Sequence, residues 1–430
     1  MSADPFKTVC KQATLEAAWR AIESNGRFST SVTVRTEIDQ FREHTGTKLR
    51  SLSHRLSRQR FVFPAARGIP IPKLKDGKKT GDIRPIVLAD VESRIVQRAI
   101  LDVLTDTPEL QKYFKNPHSF GGLRRREDAE HSGVPGAIAS SLQAIGQGAT
   151  HVAGADISGF FTRIPKSRVT AVVAKAVPNA RFMTLFEKAI TTELANMAEL
   201  RSKRDAFPIG EIGVAQGNSL SPLLGNICLS EFDALMNEGD CTCIRYIDDI
   251  LLLAPTKRAA AARLKRARQY LADLGMEFSV EKTSTEPIPV QHKFEFLGVE
   301  FSNGLLRANQ KSRRRLIESV SLAFDKSCQA FAEAAKSKTD IERHLSLSHT
   351  LRKVDGILNG WGKHYRFCND VRTLNDLDKR ISELIRAYLG RYSEIRGKAD
   401  EKQWRSLLGI ASLSMIERTP LEWPKTTRVK

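Results

Sequence analysis

The feature that most constrains this chain is a pair of adjacent aspartates, Asp248 and Asp249, set between two apolar runs. The stretch from Cys243 to Ala254 is otherwise mostly apolar, which predicts a buried β-hairpin whose turn carries the two acids. Neighbouring carboxylates repel each other, and beside an apolar sheet a divalent cation is the first candidate for neutralising them. Aspartate is also common in plain surface turns, where it forms local hydrogen bonds. On this stretch alone, a metal site and a surface turn both stay open.

The composition shows a large excess of positive charge. The 430 residues include 68 Lys and Arg against 49 Asp and Glu, a formal net charge of +19. Such an excess repels itself unless an anionic partner offsets it, and the usual polyanion is nucleic acid. A membrane partner would need an apolar span of about 20 residues or an amphipathic anchor, and the apolar runs, such as Ile250 to Pro255, are far shorter. We therefore expect a nucleic-acid partner, no membrane contact, and two or three domains.

The N-terminus and the cysteines bear on the cellular compartment. Residues Met1 to Pro5 lack the basic and apolar pattern of a signal peptide, so we expect a cytoplasmic protein. The six cysteines are scattered, and Cys241 and Cys243 lack a second pair that would complete a zinc site. We interpret Cys241 and Cys243 as ordinary strand and loop residues.

A third acidic position, Asp156, ends a short β-like run that begins near Thr150. A carboxylate at the C-terminal end of a strand, with Phe160 and Phe161 just beyond, is a candidate third metal ligand. Either phenylalanine could be a core residue, and for Phe160 this is the preferred interpretation. Further along, Gln216 precedes a predicted helix, where a polar side chain could touch a substrate.

Several predicted elements carry cations. A predicted hairpin between Phe61 and Val87 has lysines in its joining turn, which could close over phosphates or simply form a soluble loop tip. Amphipathic helices are predicted over 14–24, 36–58, 91–104 and 256–274. A strand is predicted from Phe278 to Lys282, and a hairpin is predicted to close at Asn303-Gly304. Beyond about Leu305 the pattern changes to helices rich in Lys and Arg, which indicates a separate helical domain.

The order of these motifs resembles the reverse transcriptases, and most closely the bacterial enzymes related to group II intron proteins. The matching motifs are, in order, Leu15-Glu16-Ala17-Ala18-Trp19, Ile71-Pro72-Lys73 with Arg84-Pro85, Asp156 to Phe161, Gln216-Gly217 with Ser221-Pro222, Tyr246-Ile247-Asp248-Asp249, Gly275 with Lys282, Phe296-Leu297-Gly298, and Leu358-Asn359-Gly360-Trp361. One four-residue motif is weak evidence, whereas this many in the expected order is specific.

This resemblance implies an α+β right-hand polymerase fold, with fingers and palm built on antiparallel sheet and with an α-helical thumb. The implied domains are an N-terminal helical extension over 1–60, fingers and palm over 61–304, and a basic helical thumb over 305–430. The implied reaction is RNA-directed DNA synthesis, in which deoxynucleoside triphosphates extend a primer 3′-end on an RNA template to give a DNA product.

The resemblance also implies the catalytic residues. Asp156, Asp248 and Asp249 would hold two Mg²⁺ ions, one activating the primer 3′-hydroxyl and one holding the incoming triphosphate. Asp156 and Asp248 would bridge or flank both ions, and Asp249 would support the primer-side ion.

The remaining implied roles concern the nucleotide and the duplex. Four residues would contact the incoming nucleotide: Lys73 and Arg84 at the triphosphate, Gln216 in the pocket, and Phe161 as a steric gate against the ribose 2′-hydroxyl. Two residues would place the primer end, Leu297 and Gly298. Four basic residues would bind nucleic acid: Lys282, Arg313, Arg314 and Arg315. Because these residues would bind the charged phosphate backbone of the duplex, the affinity for nucleic acid is predicted to depend on salt concentration.

Two departures from the family pattern narrow the implied role. Intron proteins usually carry an aromatic-Gly-Phe-Arg-Pro-Gly-Arg sequence, where this chain has Phe120-Gly121-Gly122-Leu123-Arg124. No zinc or endonuclease pattern follows the thumb. We therefore expect a stand-alone enzyme of the defence-associated groups that act against phage with a dedicated non-coding RNA. Two alternatives stay open, a group II intron maturase or RNA-binding scaffold and template-independent or protein-primed DNA synthesis, and the oligomeric state is also open.

Overall fold

The computed structural model describes residues 4–75, 78–122, 132–337, 339–413 and 416–422. The chain divides into two compact units, Met1–Val290 and Gln291–Lys430. The domain boundaries predicted at residues 60 and 304 differ from this division at residue 290, and they stay predictions. Within the described residues, no helix combines the length and the apolar character needed to cross a membrane.

Five α-helices near the N-terminus of the first unit share one core. They are α1 (Pro5–Cys10), α2 (Gln12–Gly26), α3 (Val32–Arg42), α4 (Thr45–Ser57) and α5 (Val91–Thr105). The helices predicted over 14–24 and 91–104 are confirmed as α2 and α5. The single helix predicted over 36–58 is wrong, because the chain turns at Glu43 and His44. Buried Phe41 and Leu49 on either side keep helical spacing, so periodicity gives no sign of the break.

The described part of the first unit contains eight further α-helices. They are α6 (Gln111–Phe114), α7 (Gly133–Gly146), α8 (Lys166–Ala176), α9 (Ala180–Ile190), α10 (Met197–Leu200), α11 (Ser221–Cys228), α12 (Ser230–Met236) and α13 (Lys257–Asp273). The helix predicted after Gln216 is α11, with Pro222 in its first turn. The helix predicted over 256–274 is α13, capped by the Thr256 side chain.

Two antiparallel sheets lie in the first unit. Strands β1 (Arg67–Lys75) and β2 (Lys78–Leu88) form a hairpin, and residues 76–77 of the turn predicted over 75–79 lie outside the described residues. The second sheet has the order β4-β5-β3-β6, from β3 (His151–Asp156), β4 (Thr242–Tyr246), β5 (Asp249–Ala254) and β6 (Ile288–Pro289). Helices α7 and α13 pack against it, which buries the apolar run of β5 from Ile250 onward. The predicted buried hairpin is therefore confirmed as β4–β5.

The second unit combines a small sheet with long helices. Strands β7 (Phe294–Phe296), β8 (Val299–Ser302) and β9 (Leu305–Ala308) form an antiparallel sheet, and Asn303-Gly304 closes β8 on β9 with positive φ at both residues. The helices are α14 (Gln310–Ser337), α15 (Leu347–His364), α16 (Val371–Arg396) and α17 (Glu401–Leu408). Stacked rings in their core include Phe324 on Tyr388, with centroids 4.4 Å apart. The predicted α+β class with a helical C-terminal region is confirmed.

Candidate active site

Three carboxylates meet at one end of the four-stranded sheet. Asp156 is the last residue of β3 and pairs across the sheet with Asp249, the first residue of β5. Asp248 lies in the turn between β4 and β5, and its backbone carbonyl accepts a hydrogen bond from Ile157 N at 3.0 Å. One oxygen of each aspartate lies within 4.8 Å of the others. The register of β3 against β5 therefore brings together residues that are some ninety positions apart in sequence.

The turn that presents Asp248 is strained. Tyr246 pairs with Asp249, so Ile247 and Asp248 alone reverse the chain. Ile247 has a φ of 60°, a left-handed conformation in which tight hairpin turns usually place glycine. For a residue with a Cβ this conformation costs about 1–2 kcal/mol. Strain of this kind persists when the surrounding contacts hold it, and it clusters at functional sites.

The three carboxylates carry more negative charge than their surroundings offset. Burial, together with the charges of Asp248 and Asp156, raises the pKa of Asp249 to about 7. Burial and the charge of Asp156 likewise raise the pKa of Asp248, and Lys282 and Arg84 oppose this shift without outweighing it. A cation would reverse such shifts, and carboxylate oxygens are the ligands that Mg²⁺ prefers in proteins. The side chains present therefore fit a divalent metal held by the three aspartates.

Lys282 contacts the carboxylate cluster directly. Its Nζ lies 2.8 Å from Asp156 Oδ2, although its side chain is 62% exposed. The strand predicted from Phe278 to Lys282 is wrong: Phe278 forms only an isolated bridge with Ile157, and Ser279 N donates to Asp156 O at 2.7 Å. The chain leaves the sheet beyond these anchors, and this departure lets the lysine reach back to Asp156. A contact between Lys282 and nucleic acid stays a prediction.

Backbone hydrogen bonds join two of the predicted nucleotide-binding residues to neighbouring elements. The carbonyl of Phe161 accepts from Val214 N at 2.7 Å, and the carbonyl of Gln216 accepts from Val87 N of β2 at 2.9 Å. Both side chains are partly exposed, whereas Phe160 is buried, as predicted. Gly217 has a φ of 115°, and a Cβ there would lie 2.7 Å from the carbonyl oxygen of Val87. Glycine thus allows the loop with Gln216 to approach β2.

The two predicted triphosphate ligands lie on the β1–β2 hairpin. Lys73 is exposed on β1, beside an irregularity in the register between Pro72 and Leu74. Arg84 is exposed on β2, opposite Ile71, and its charge opposes the rise in the pKa of Asp248. The hairpin that carries both cations is the one joined to Gln216. Their contact with a triphosphate stays a prediction.

The predicted primer-grip and basic residues belong to the second unit. Leu297 and Gly298 form the turn between β7 and β8, with φ values of 51° and 79°. A Cβ on Gly298 would lie 3.2 Å from the hydroxyl of Tyr365. Three basic residues lie in the first turns of α14: Arg313, Arg314 and Arg315. Their roles toward primer and nucleic acid stay predictions.

Sequence reasoning missed one residue beside this site, Arg245 of β4. Its side chain is fully buried and donates to both carboxylate oxygens of Asp233. An arginine inside the apolar run that leads to the acidic turn is the signal that could have found it, because a buried arginine needs a partner.

Comparisons with known proteins found similarity to two curated proteins and to solved structures. Protein YkfC of Escherichia coli K12 is 31% identical over 266 residues, which cover 54% of this chain and 66% of YkfC. An uncharacterized 91 kDa protein in the cob intron of Schizosaccharomyces pombe is 28% identical over 178 residues, 41% of this chain and 19% of that protein. Apo telomerase from Candida tropicalis matches at a TM-score of 0.40 and 13% identity, over 78% of this chain and 64% of that chain. The chain thus spans less than two thirds of each relative.

Two family profiles match this chain. The profile of the maturase-specific domain of group II introns matches residues 328–404. The profile "Reverse transcriptase (RNA-dependent DNA polymerase)" matches residues 71–301, which is more than half of the 430 residues and includes all three aspartates. The chain therefore belongs to the reverse transcriptase family of RNA-dependent DNA polymerases.

Proposed function

We propose that this chain adds deoxynucleotides to a primer 3′-end on an RNA template, in the cytoplasm, with two Mg²⁺ ions held by Asp156, Asp248 and Asp249. One observation carries the proposal: three carboxylates of a reverse transcriptase domain lie within 4.8 Å of one another. The raised pKa values of Asp248 and Asp249 support a site that binds cations, since the built-in cations leave much of the negative charge unopposed.

In the proposed reaction the primer 3′-hydroxyl releases its proton to solvent and its oxygen bonds to the α-phosphorus of the triphosphate. The bond between the α-phosphorus and the oxygen that bridges it to the β-phosphate breaks, and pyrophosphate leaves. The metal ions, when bound, lower the pKa of the 3′-hydroxyl and neutralise charge on the phosphates. The aspartates hold the ions at the end of the sheet, where the strained turn fixes Asp248. Lys73 and Arg84 bind the triphosphate as point charge and forked donor. Gln216 lines the pocket.

Primer extension tests the catalytic assignment. Purified chain is given a primed RNA template, deoxynucleotides and Mg²⁺, and Asp248→Asn is compared with Asp240→Asn. Asp240 is exposed in the loop before β4, so its variant controls for loss of one charge. We expect Asp240→Asn to extend the primer at the parent rate and Asp248→Asn to lose extension. Equal extension by parent and Asp248→Asn would refute the proposal.

Phe161 is proposed to select the sugar. Its ring stands against Phe160 at a centroid distance of 5.3 Å, which limits how far it can move from a bound nucleotide. Phe161→Val should admit ribonucleotides, with a loss of discrimination of about 10- to 200-fold, the range for a change of pocket size. The ratio of kcat/KM for deoxynucleotides and ribonucleotides measures this. An unchanged ratio would show that Phe161 does not select the sugar.

A maturase activity is the second candidate function, because residues 328–404 match the maturase-specific domain of group II introns. We expect a role in intron splicing to depend on RNA binding rather than on the three aspartates. A splicing assay with Asp248→Asn therefore separates the two functions. Splicing that is retained in Asp248→Asn while primer extension is lost would support a maturase role. If the parent chain has no effect on splicing, the maturase role is excluded.

The biological template is proposed to be a dedicated non-coding RNA that serves antiphage defence. The net charge of +19 supports a polyanionic partner. Sequencing the RNA and DNA that co-purify with the chain tests this. DNA complementary to one abundant small RNA would support the proposal. DNA with no matching RNA would favour template-independent or protein-primed synthesis instead.

A further inference from the structure

A buried charge pair lies beside the catalytic turn, which we define as Ile247 and Asp248. Arg245 is 0% exposed and Asp233, in α12, is 1% exposed. Arg245 donates from Nε to Asp233 Oδ1 at 2.7 Å and from Nη2 to Asp233 Oδ2 at 2.6 Å. Nη2 also donates to Asn226 Oδ1 of α11 at 3.2 Å. The bidentate contact fixes one side of the planar guanidinium, so the direction of Nη1 is fixed too.

The remaining nitrogen, Nη1 of Arg245, donates to the backbone carbonyl of Ile247 at 3.1 Å. That carbonyl belongs to the peptide group that leads into Asp248. Ile247 is the residue with a φ of 60°, a conformation that a β-branched side chain disfavours. The hydrogen bond therefore opposes rotation of the peptide toward a relaxed backbone.

The segment that departs from the intron-protein motif packs on the same turn. Arg245 N donates to His118 O at 2.8 Å, and Phe120 N donates to Arg245 O at 2.9 Å, so the segment runs alongside β4. Gly121 then lies against Ile247, where a Cβ would be 2.5 Å from Ile247 Cγ1 and 2.6 Å from its backbone nitrogen. Glycine leaves the space that this turn needs. Leu123 and Arg124 of the same motif lie outside the described residues.

We propose that Arg245, anchored by Asp233, is a positioning residue that holds Ile247 in its left-handed conformation and thereby fixes Asp248 and Asp249 relative to Asp156. The inference rests on the proposed function. A buried ion pair adds little stability compared with apolar side chains of similar volume, so stability alone gives no reason for an arginine here. The hydrogen bond to the Ile247 carbonyl gives one.

The test replaces both charges at once, as Arg245→Met with Asp233→Leu, so that no unpaired charge is left buried. We expect the double variant to fold, with kcat lower by about 10- to 100-fold, KM for the nucleotide nearly unchanged, and Mn²⁺ affinity reduced by a similar factor, as for other residues that orient metal ligands. Electron paramagnetic resonance measures Mn²⁺ binding without turnover. Met236→Ala, a buried apolar truncation in the same α12, is the control for lost packing alone.

A rescue variant separates positioning from packing. Glycine adopts positive φ about as readily as negative φ, so Ile247→Gly removes the need for the arginine. We expect Ile247→Gly to recover most of the lost kcat in the double variant and to give no gain in Met236→Ala. If the double variant does not fold, Arg245→Lys serves instead, because lysine keeps the charge beside Asp233 but lacks the fork that contacts two groups at once.

Each outcome decides between the two proposals. Unchanged kcat and Mn²⁺ affinity in the double variant, with Asp248→Asn inactive, would overturn the positioning role and leave the proposed function intact. A lost kcat that Ile247→Gly fails to recover would overturn the positioning role as well. Full activity of Asp248→Asn would overturn the proposed function itself.

Discussion

Two carboxylate clusters, one in each unit, differ in how their charge is balanced. In the first unit, the carboxylate triad of Asp156, Asp248 and Asp249 has Lys282 as its ion-pair partner, through Asp156. In the second unit, Glu300 of β8 is 0% exposed, and it is contacted by Arg307 and by Lys293, whose Nζ lies 2.8 Å away. The first cluster has three acids for one contacting lysine, whereas the second has two cations for its two acids, Glu300 and Asp370.

The pKa shifts have opposite directions in the two clusters. Burial and like charge raise the pKa of Asp249 to about 7. Burial would also raise the pKa of Glu300, but the ion pair with Lys293 and the hydrogen bonds from Arg307 outweigh it and lower that pKa. Arg307 also bridges to Asp370, the N-cap of α16, at 3.1 Å. A carboxylate with its cations built in holds elements together, whereas a carboxylate that lacks them is suited to bind a cation from solution.

The largest expected effect is the loss of activity in Asp156→Asn. Since variants of residues that merely orient metal ligands cost about 10- to 100-fold, loss of a ligand should lower primer extension by more than about 100-fold. The free energy of unfolding without metal should stay equal or rise, because like-charge repulsion is relieved. Chemical denaturation and primer extension measure the two. An Asp156→Asn variant that is destabilised but still extends the primer would mean that Asp156 has a structural role and not a catalytic one.

Glu300→Gln should show the opposite pattern. Removing the carboxylate charge from its hydrogen bonds with Arg307 and its ion pair with Lys293 should lower the free energy of unfolding by about 1.5–3 kcal/mol. The rate of primer extension by the folded variant should stay within about twofold of the parent rate, because loss of the Glu300 charge should affect only stability. Glu333→Gln, at an exposed position of α14, is the matched control and should change stability by less than about 0.5 kcal/mol. Lost activity at full stability would contradict the structural role of Glu300.

Protons and metal should compete at the carboxylate triad. Because the pKa of Asp249 is raised to about 7, the folded metal-free chain holds a proton that the unfolded chain has released, and this contribution to stability is lost as pH rises through about 7. Mg²⁺ needs the ionised form, so its stabilising effect should be larger at pH 8 than at pH 6, and about 2.7 kcal/mol at 100 times its Kd. Thermal unfolding with and without Mg²⁺ measures it.

The control for this prediction is Asp249→Asn, in which the pH difference should be smaller, because only the raised pKa of Asp248 remains. The same Mg²⁺-induced rise in Tm at pH 6 and pH 8 for the parent chain would contradict the unbalanced charge of the carboxylate triad.

The smallest expected effect is that of Lys282→Met. Lysine would compete with a metal ion for Asp156 Oδ2, but its side chain is 62% exposed, and an exposed ion pair contributes only about 0.2–1 kcal/mol. Mg²⁺ affinity should therefore rise by no more than about fivefold. Isothermal titration calorimetry checks this. Weaker Mg²⁺ binding in the variant would mean that Lys282 supports the ion rather than competing with it.

The sequence predicted the right-hand polymerase fold with a helical thumb, and family membership confirms that class. The carboxylate triad was predictable because two aspartates interrupt an apolar hairpin and a third ends a β-like run. The break between α3 and α4 was not predictable, since helical spacing continues through it. The contact of Lys282 with Asp156 depends on a loop that leaves the sheet after Ser279. The sequence pattern instead predicted that a strand continues to Lys282. The Arg245 network likewise depends on tertiary partners, which periodicity along one strand does not identify.

The most direct measurement is a count of Mn²⁺ ions bound per chain. Electron paramagnetic resonance would be recorded with a primed RNA template and a deoxynucleotide analogue that cannot be incorporated, for the parent chain, for Asp248→Asn and for Asp240→Asn. The account predicts two bound ions for the parent and for Asp240→Asn, in line with two-metal nucleotidyl transfer, and a loss of ions in Asp248→Asn. The same number of ions in Asp248→Asn, with the same affinity, would contradict it.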